Sequence, residues 1–99
     1  MSRPFYSEYV RHCMRFYSRN LQLKQFKTPV DEDNWKACHR VILQLPEQTR
    51  DILVLVYGGR DTLADEVYNT SCKYSINQNI IWDLMKAFEK SVAIRRGLI

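Results

Sequence analysis

The chain has 99 residues, 45% of them hydrophobic, with 15 basic and 11 acidic side chains, a formal net charge of +4 and three cysteines. That length suits one small domain with one core, and that hydrophobic share excludes wholesale disorder. No run reaches the roughly 18 apolar residues of a membrane span, and the opening MSRPFYSEYV lacks the apolar stretch of a signal peptide, so the expected compartment is the cytoplasm.

A first helix is expected over residues 3–19. Pro4 suits a first-turn position. Phe5, Tyr6, Tyr9, Val10, Cys13, Phe16 and Tyr17 recur at helical spacing and form a broad aromatic face. Arg11, Arg15 and Arg19 repeat every four residues and form a second, basic stripe, which Asn20 ends. The stretch LQLKQFKTP reads as a loop, because a residue before proline, here Thr28, is steered out of the helical region. Asp31 or Asp33 is the expected cap of a second helix whose core stripe is Trp35, Cys38, Val41, Ile42 and Leu45.

Pro46 restarts the chain. PEQTRDILVLVYGG reads as a third helix with Pro46 and Glu47 in its first turn and Gly58-Gly59 as its stop. The β-branched Ile52, Val54 and Val56 would also permit a strand, but the start and stop signals decide for a helix. Apolar side chains nearly all round it (Ile52, Leu53, Leu55, Val56, Tyr57) place it centrally. A short fourth helix, DTLADEVYNTS, is capped by Asp61 or Thr62 and turns Leu63, Val67, Tyr68 and Cys72 inward. Lys73-Tyr74-Ser75 then leads into a fifth helix over 75–96. Its expected inner face is Ile76, Ile80, Leu84, Ala87, Phe88 and Ser91, bordered by Ile81 and Val92. Asn79, Asp83, Lys86 and Lys90 share the opposite face, with Trp82 beside them. The expected fold is all-α: residues 1–99 as a single helical domain, about five helices in one small bundle, the C-terminal half resembling a helix-turn-helix.

Catalysis leaves no trace in this pattern. Gly58-Gly59 is an isolated pair rather than a phosphate loop, and neither GxSxG nor HExxH occurs. His12-Cys13 and Cys38-His39 suggest metal ligands, but adjacent helical residues point about 100° apart and serve one ion poorly. The cysteines read as reduced thiols in or near a core, and the acidic Asp31-Glu32-Asp33 run as a helix start rather than a magnesium site. No enzyme, metal or cofactor is expected.

Charge is uneven along the chain. Residues 1–27 carry six basic and one acidic side chain, 28–71 four and eight, and 72–99 five and two. Basic ends can meet phosphate, and they can equally pair with the acidic middle.

The order of the last three helices, a central apolar helix, a short helix and a longer final one, is that of a helix-turn-helix, in which the final helix enters the major groove. LPEQTRDILVLVY resembles the opening of region 4 of sigma-70-type RNA polymerase sigma factors and of small phage or mobile-element regulators built on it. Leu45, Pro46, Glu47, Arg50, Ile52, Leu53, Leu55 and Tyr57 carry the likeness, followed by Asp65, Glu66 and Val67 and by a serine-capped helix starting at Ser75. The connection YNTSCKYS is longer than that family's tight glycine turn and has no glycine.

The resemblance implies double-stranded DNA as partner and transcription control as function. Asn77, Gln78 and Asn79 would read bases with Asp83 or Lys86, since asparagine and glutamine can bond adenine in a bidentate way. Ser75, Lys73, Lys90, Arg95 and Arg96 would hold phosphates, and Arg11, Arg15 and Arg19 would add a second phosphate track. Another use of the same residues stands beside this one. Ser75 or Asn77 caps a helix, and the aromatic surplus of the first helix forms a protein interface, with a homodimer or another partner and no DNA.

Overall fold

The computed structural model describes residues 4–99, so Arg3, the expected start of the first helix, lies outside the described residues. Five helices follow in order: α1 (Ser7–Arg19), α2 (Pro29–Ile42), α3 (Glu47–Gly58), α4 (Leu63–Tyr74) and α5 (Gln78–Arg95). The described residues contain no strand, so the β-branched run of α3 is helical as its boundary residues required. Among the described residues no helix is long and apolar enough to cross a membrane.

The helix starts show which local signals prevailed. Pro4 stands before α1, its carbonyl closing a turn onto the Ser7 amide at 3.1 Å, so the first helical turn begins at Ser7. Thr28, not Asp31 or Asp33, caps α2: its backbone is extended ahead of Pro29 and its hydroxyl accepts the Asp31 amide at 3.1 Å. The extended conformation that proline imposes on its predecessor is also the conformation of an N-cap, so Thr28 satisfies both demands. Asp31 and Glu32 sit instead in the first turn, where the dipole favours them. Pro46 occupies the cap position of α3, and Thr62 caps α4 by accepting the Asp65 amide at 3.2 Å.

The core runs through Tyr6 at the N-cap of α1, Val10, Cys13, Met14 and Tyr17 of α1, and Cys38, Val41 and Ile42 of α2. It continues through Ile52, Leu53, Val56 and Tyr57 of α3, Val67 of α4, and Ile81, Met85, Phe88 and Val92 of α5. The broad aromatic face of α1 therefore divides. Tyr6 and Tyr17 go inside, while Phe5, ahead of the first turn, is 80% exposed and Tyr9 is partly exposed. The inner face of α4 is Val67, Thr70 and Ser71, with Tyr68 and Cys72 outside. Gly58, the last residue of α3, lets the two helices approach closely: a Cβ there would lie 3.1 Å from the Ser18 Cβ of α1. Arg19 closes the same junction, its Nη2 donating to the Gly59 carbonyl at 2.8 Å, and so supplies the cation that the last turn of α3 lacks.

Among the described residues one charged side chain is buried. Glu89 of α5 is buried, and its Oε2 accepts from Arg11 Nε of α1 at 3.0 Å and from the Tyr57 hydroxyl of α3 at 2.6 Å. Burial first, and then the charge and hydrogen bond of Glu89, push the Tyr57 hydroxyl well above the ordinary phenol range, so it remains a donor. A second polar knot joins α1, α2 and the end of α5: Asn34 Oδ1 accepts from Tyr9 at 3.2 Å and from Arg96 Nε at 2.7 Å. On a neighbouring face of α2, Trp35 stacks on His39 at 4.6 Å, His39 Nδ1 shares a 2.9 Å hydrogen bond with the Tyr17 hydroxyl, and Trp35 Nε1 donates to the Asn20 carbonyl. Each His–Cys pair is thus split between environments, with Cys13 and Cys38 buried, His12 exposed and His39 held among aromatic rings.

Two outcomes test this packing. Arg11→Ala leaves the Glu89 charge inside without its cation and is expected to cost about 3–5 kcal/mol in urea unfolding, whereas Arg11→Met combined with Glu89→Leu should lose much less. Thiol titration should find Cys72 reactive in the native protein and Cys13 and Cys38 protected until unfolding. Desolvation raises the Cys13 thiol from 9.0 to about 11, so folding stability should decline as pH climbs from 9.0 towards 11, because the unfolded chain releases that proton first.

Candidate nucleic-acid interface

The connection between α4 and α5 is shorter than YNTSCKYS suggests, because α4 continues as helix through Tyr74. Three residues remain, Ser75, Ile76 and Asn77. Ser75 is the C-cap of α4 in the left-handed region (φ 55, ψ 45), with its amide bonded to the Ser71 carbonyl, and the Ile76 amide returns to the same carbonyl at 3.1 Å. These bonds close the helix end in the way a glycine usually does. Ser75 therefore terminates α4 and does not cap α5, which corrects its expected place as the first residue of the last helix.

Asn77 is the N-cap of α5, and its Oδ1 accepts the Asn79 amide at 2.7 Å. The three consecutive amides thus separate. Asn77 is engaged in the cap. Gln78 is exposed but lies about 100° round the helix from Asn79. Asn79 heads an exposed stripe that continues through Asp83, Lys86 and Lys90 at intervals of four, three and four residues. Those spacings keep all four on one face.

The inner face of α5 is rotated from the expected one. Ile81, Met85, Phe88, Glu89, Val92 and Ala93 are buried, while Ile80, Ala87 and Ser91 are exposed. Ile80 and Ile81 are equivalent in hydrophobicity, and no local signal separates them. The phase is set by Glu89, which must reach Arg11 and Tyr57, and by Met85, which fills the core beside it.

The basic residues divide likewise. Lys73, Lys86, Lys90 and Arg15 are exposed. Arg95 is also exposed, but it lines a shallow groove with Val41, Gln44, Ser91 and Ile94 on the α2 side, away from the Asn79 stripe. Three expected phosphate ligands have internal partners: Arg11 holds Glu89, Arg19 holds the end of α3, and Arg96 holds Asn34. The arginine ladder of α1 is therefore not one uniform solvent stripe. No protein family, curated protein or solved structure matches this chain.

The turn geometry separates the amides by experiment. Asn77→Ala should lower stability by about 1 kcal/mol through the lost cap, while Gln78→Ala and Asn79→Ala should stay within about 0.5 kcal/mol in thermal melts. Ser75→Gly should raise stability by roughly 0.5–1 kcal/mol, since glycine occupies the left-handed position without strain.

Proposed function

We propose that this chain is a non-enzymatic DNA-binding protein, a small cytoplasmic transcriptional regulator that lays the outer face of α5 in the major groove. One observation carries the reading. A three-residue turn with a left-handed first residue joins α4 to α5 and leaves Asn79, Asp83, Lys86 and Lys90 as an exposed polar row on a helix of 18 residues. Helix-turn-helix units use a turn of three to four residues, and the N-terminal part of their second helix meets base edges. The likeness of residues 45–57 to sigma-70 region 4 supports the same assignment and a phage or mobile-element setting.

In this reading Asn79 bonds adenine, Asp83 accepts from the cytosine amino group, and Lys86 donates to guanine. Gln78 lies at the edge of the contact, and Asn77 acts through the cap it makes. Lys73, at the end of α4, and Lys90 contact phosphates, and Arg15 extends the track from α1. Arg11, Arg19 and Arg96 take part by holding the helices that present these groups.

A second reading, a helical interaction module or homodimer without DNA, draws on the exposed Phe5 and the partly exposed Tyr9 of the aromatic first helix. Salt separates the two. The purified protein is to be incubated with a pool of random duplex DNA at low and at physiological salt, and the bound fraction sequenced. DNA reading predicts an enriched motif and affinity that falls steeply with salt. Replacing Lys90 with Ala should lower the slope of log affinity against log salt by about 0.9 without changing the motif. Absence of binding at both salts would favour the interaction module.

A further inference from the structure

The outer face of α5 carries a second row beside the polar one. Ile80, Leu84, Ala87, Ser91 and Ile94 follow at steps of four, three, four and three residues, the spacing of a helix-pairing seam. Ile80 is 51% and Ile94 57% exposed, Ala87 and Ser91 are exposed, and Leu84 is half-buried. Asp83 and Lys90 border the row on one side and Arg95 on the other. Asp83 and Lys90 stand two turns, about 10 Å, apart on the helix. Among the described residues neither has an ion-pair partner.

This row fits a second copy of itself in one orientation. When two such helices run antiparallel, Ile80 faces Ser91 of the other copy and Leu84 faces Ala87. Each layer then sets a large side chain against a small one. Ser91 also lines, with Val41, Gln44, Ile94 and Arg95, the groove between α2 and α5, so the side chain of Ile80 enters a concave surface. The same register brings Asp83 beside Lys90 of the other copy, and two-fold symmetry makes every one of these pairings twice. A slip of one heptad would set Lys90 against Lys90, and a parallel pair would set Lys90 against Arg95. Like charges oppose both alternatives.

We infer that α5 pairs antiparallel with α5 of a second copy through this row, forming a homodimer held in register by Asp83 and Lys90. One helix per copy gives a small interface, so the dimer forms and dissociates with protein concentration. Asp83 and Lys90 also stand in the row proposed to meet DNA, so a paired α5 is withheld from the major groove. The pairing itself needs no DNA, and its failure would leave the DNA reading standing.

Sedimentation of the purified protein without DNA, from about 10 µM to about 1 mM, tests the pairing. Wild type should pass from monomer to dimer over that range. Asp83→Lys sets like charges together twice and should raise the dimer dissociation constant about ten-fold. Lys90→Asp should do the same, although it lowers the net positive charge, so overall repulsion would not account for its effect. Asp83→Lys combined with Lys90→Asp exchanges the two charges and should restore the wild-type dissociation constant. Both side chains are exposed, so far-UV circular dichroism of all three variants should match wild type. A monomer throughout the range, a dimer indifferent to both single reversals, or a double variant as weak as the single ones would overturn the inference.

Discussion

Glu89 carries a negative charge into a core of valine, isoleucine, methionine and tyrosine side chains, and two other helices answer it. Arg11 reaches it from α1 and Tyr57 from α3, both on the same carboxylate oxygen. A buried ion pair of this kind adds little net stability over a well-packed apolar replacement, because desolvation offsets most of the attraction. Its stronger consequence is geometric. An apolar helix face tolerates small rotations, but a carboxylate with two directed partners does not. Once Glu89 points inward, the rest of α5 is oriented with it. Ile81, Met85, Phe88 and Val92 follow it inside, and Asn79, Asp83, Lys86 and Lys90 are carried to the outside. The surface proposed to meet DNA is thus positioned by a bond on the other side of the helix.

The same economy of polar contacts governs the basic residues. Arg19 neutralises the exposed carbonyls at the end of α3, which has no cation of its own in its last turn. Arg96 holds Asn34, which also receives the Tyr9 hydroxyl, so the end of α5 is tied to α1 and α2 through one amide oxygen. A net charge of +4 overstates what these side chains offer to phosphate, since three of the arginines have hydrogen-bond partners on other elements of the fold. The cations that remain near the α4–α5 unit are few, so the DNA reading proposed for it rests on base contacts as well as on charge.

Much of the secondary structure was legible in the residues themselves. Proline at 29 and 46, paired glycines at 58 and 59, and hydroxyl or acidic residues before apolar runs are local signals, and the helix boundaries follow them closely. Where the sequence left two choices for a cap, one of them sometimes held, as with Thr62. In α2 neither did, because the residue before Pro29 already had the extended backbone a cap requires. The longer connection before α5 disappeared because nothing in NTSCKY breaks a helix, and because Ser75 accepts a left-handed conformation that glycine was expected to supply.

The candidate site was legible only in part. The stripe of Asn79, Asp83, Lys86 and Lys90 depends on helical periodicity alone, so spacing places it on one face before any contact is known. The sequence by itself determined five helices, their order and that stripe, since propensity, capping and the 3.6-residue period act over a few neighbouring residues. Tertiary structure decided the phase of α5 and the pairing of Arg11, Arg19 and Arg96 with groups on other elements. Those outcomes depend on partners 78 residues apart for Arg11 and Glu89 and 62 apart for Asn34 and Arg96. Pairings at such separation exist only once the helices have packed.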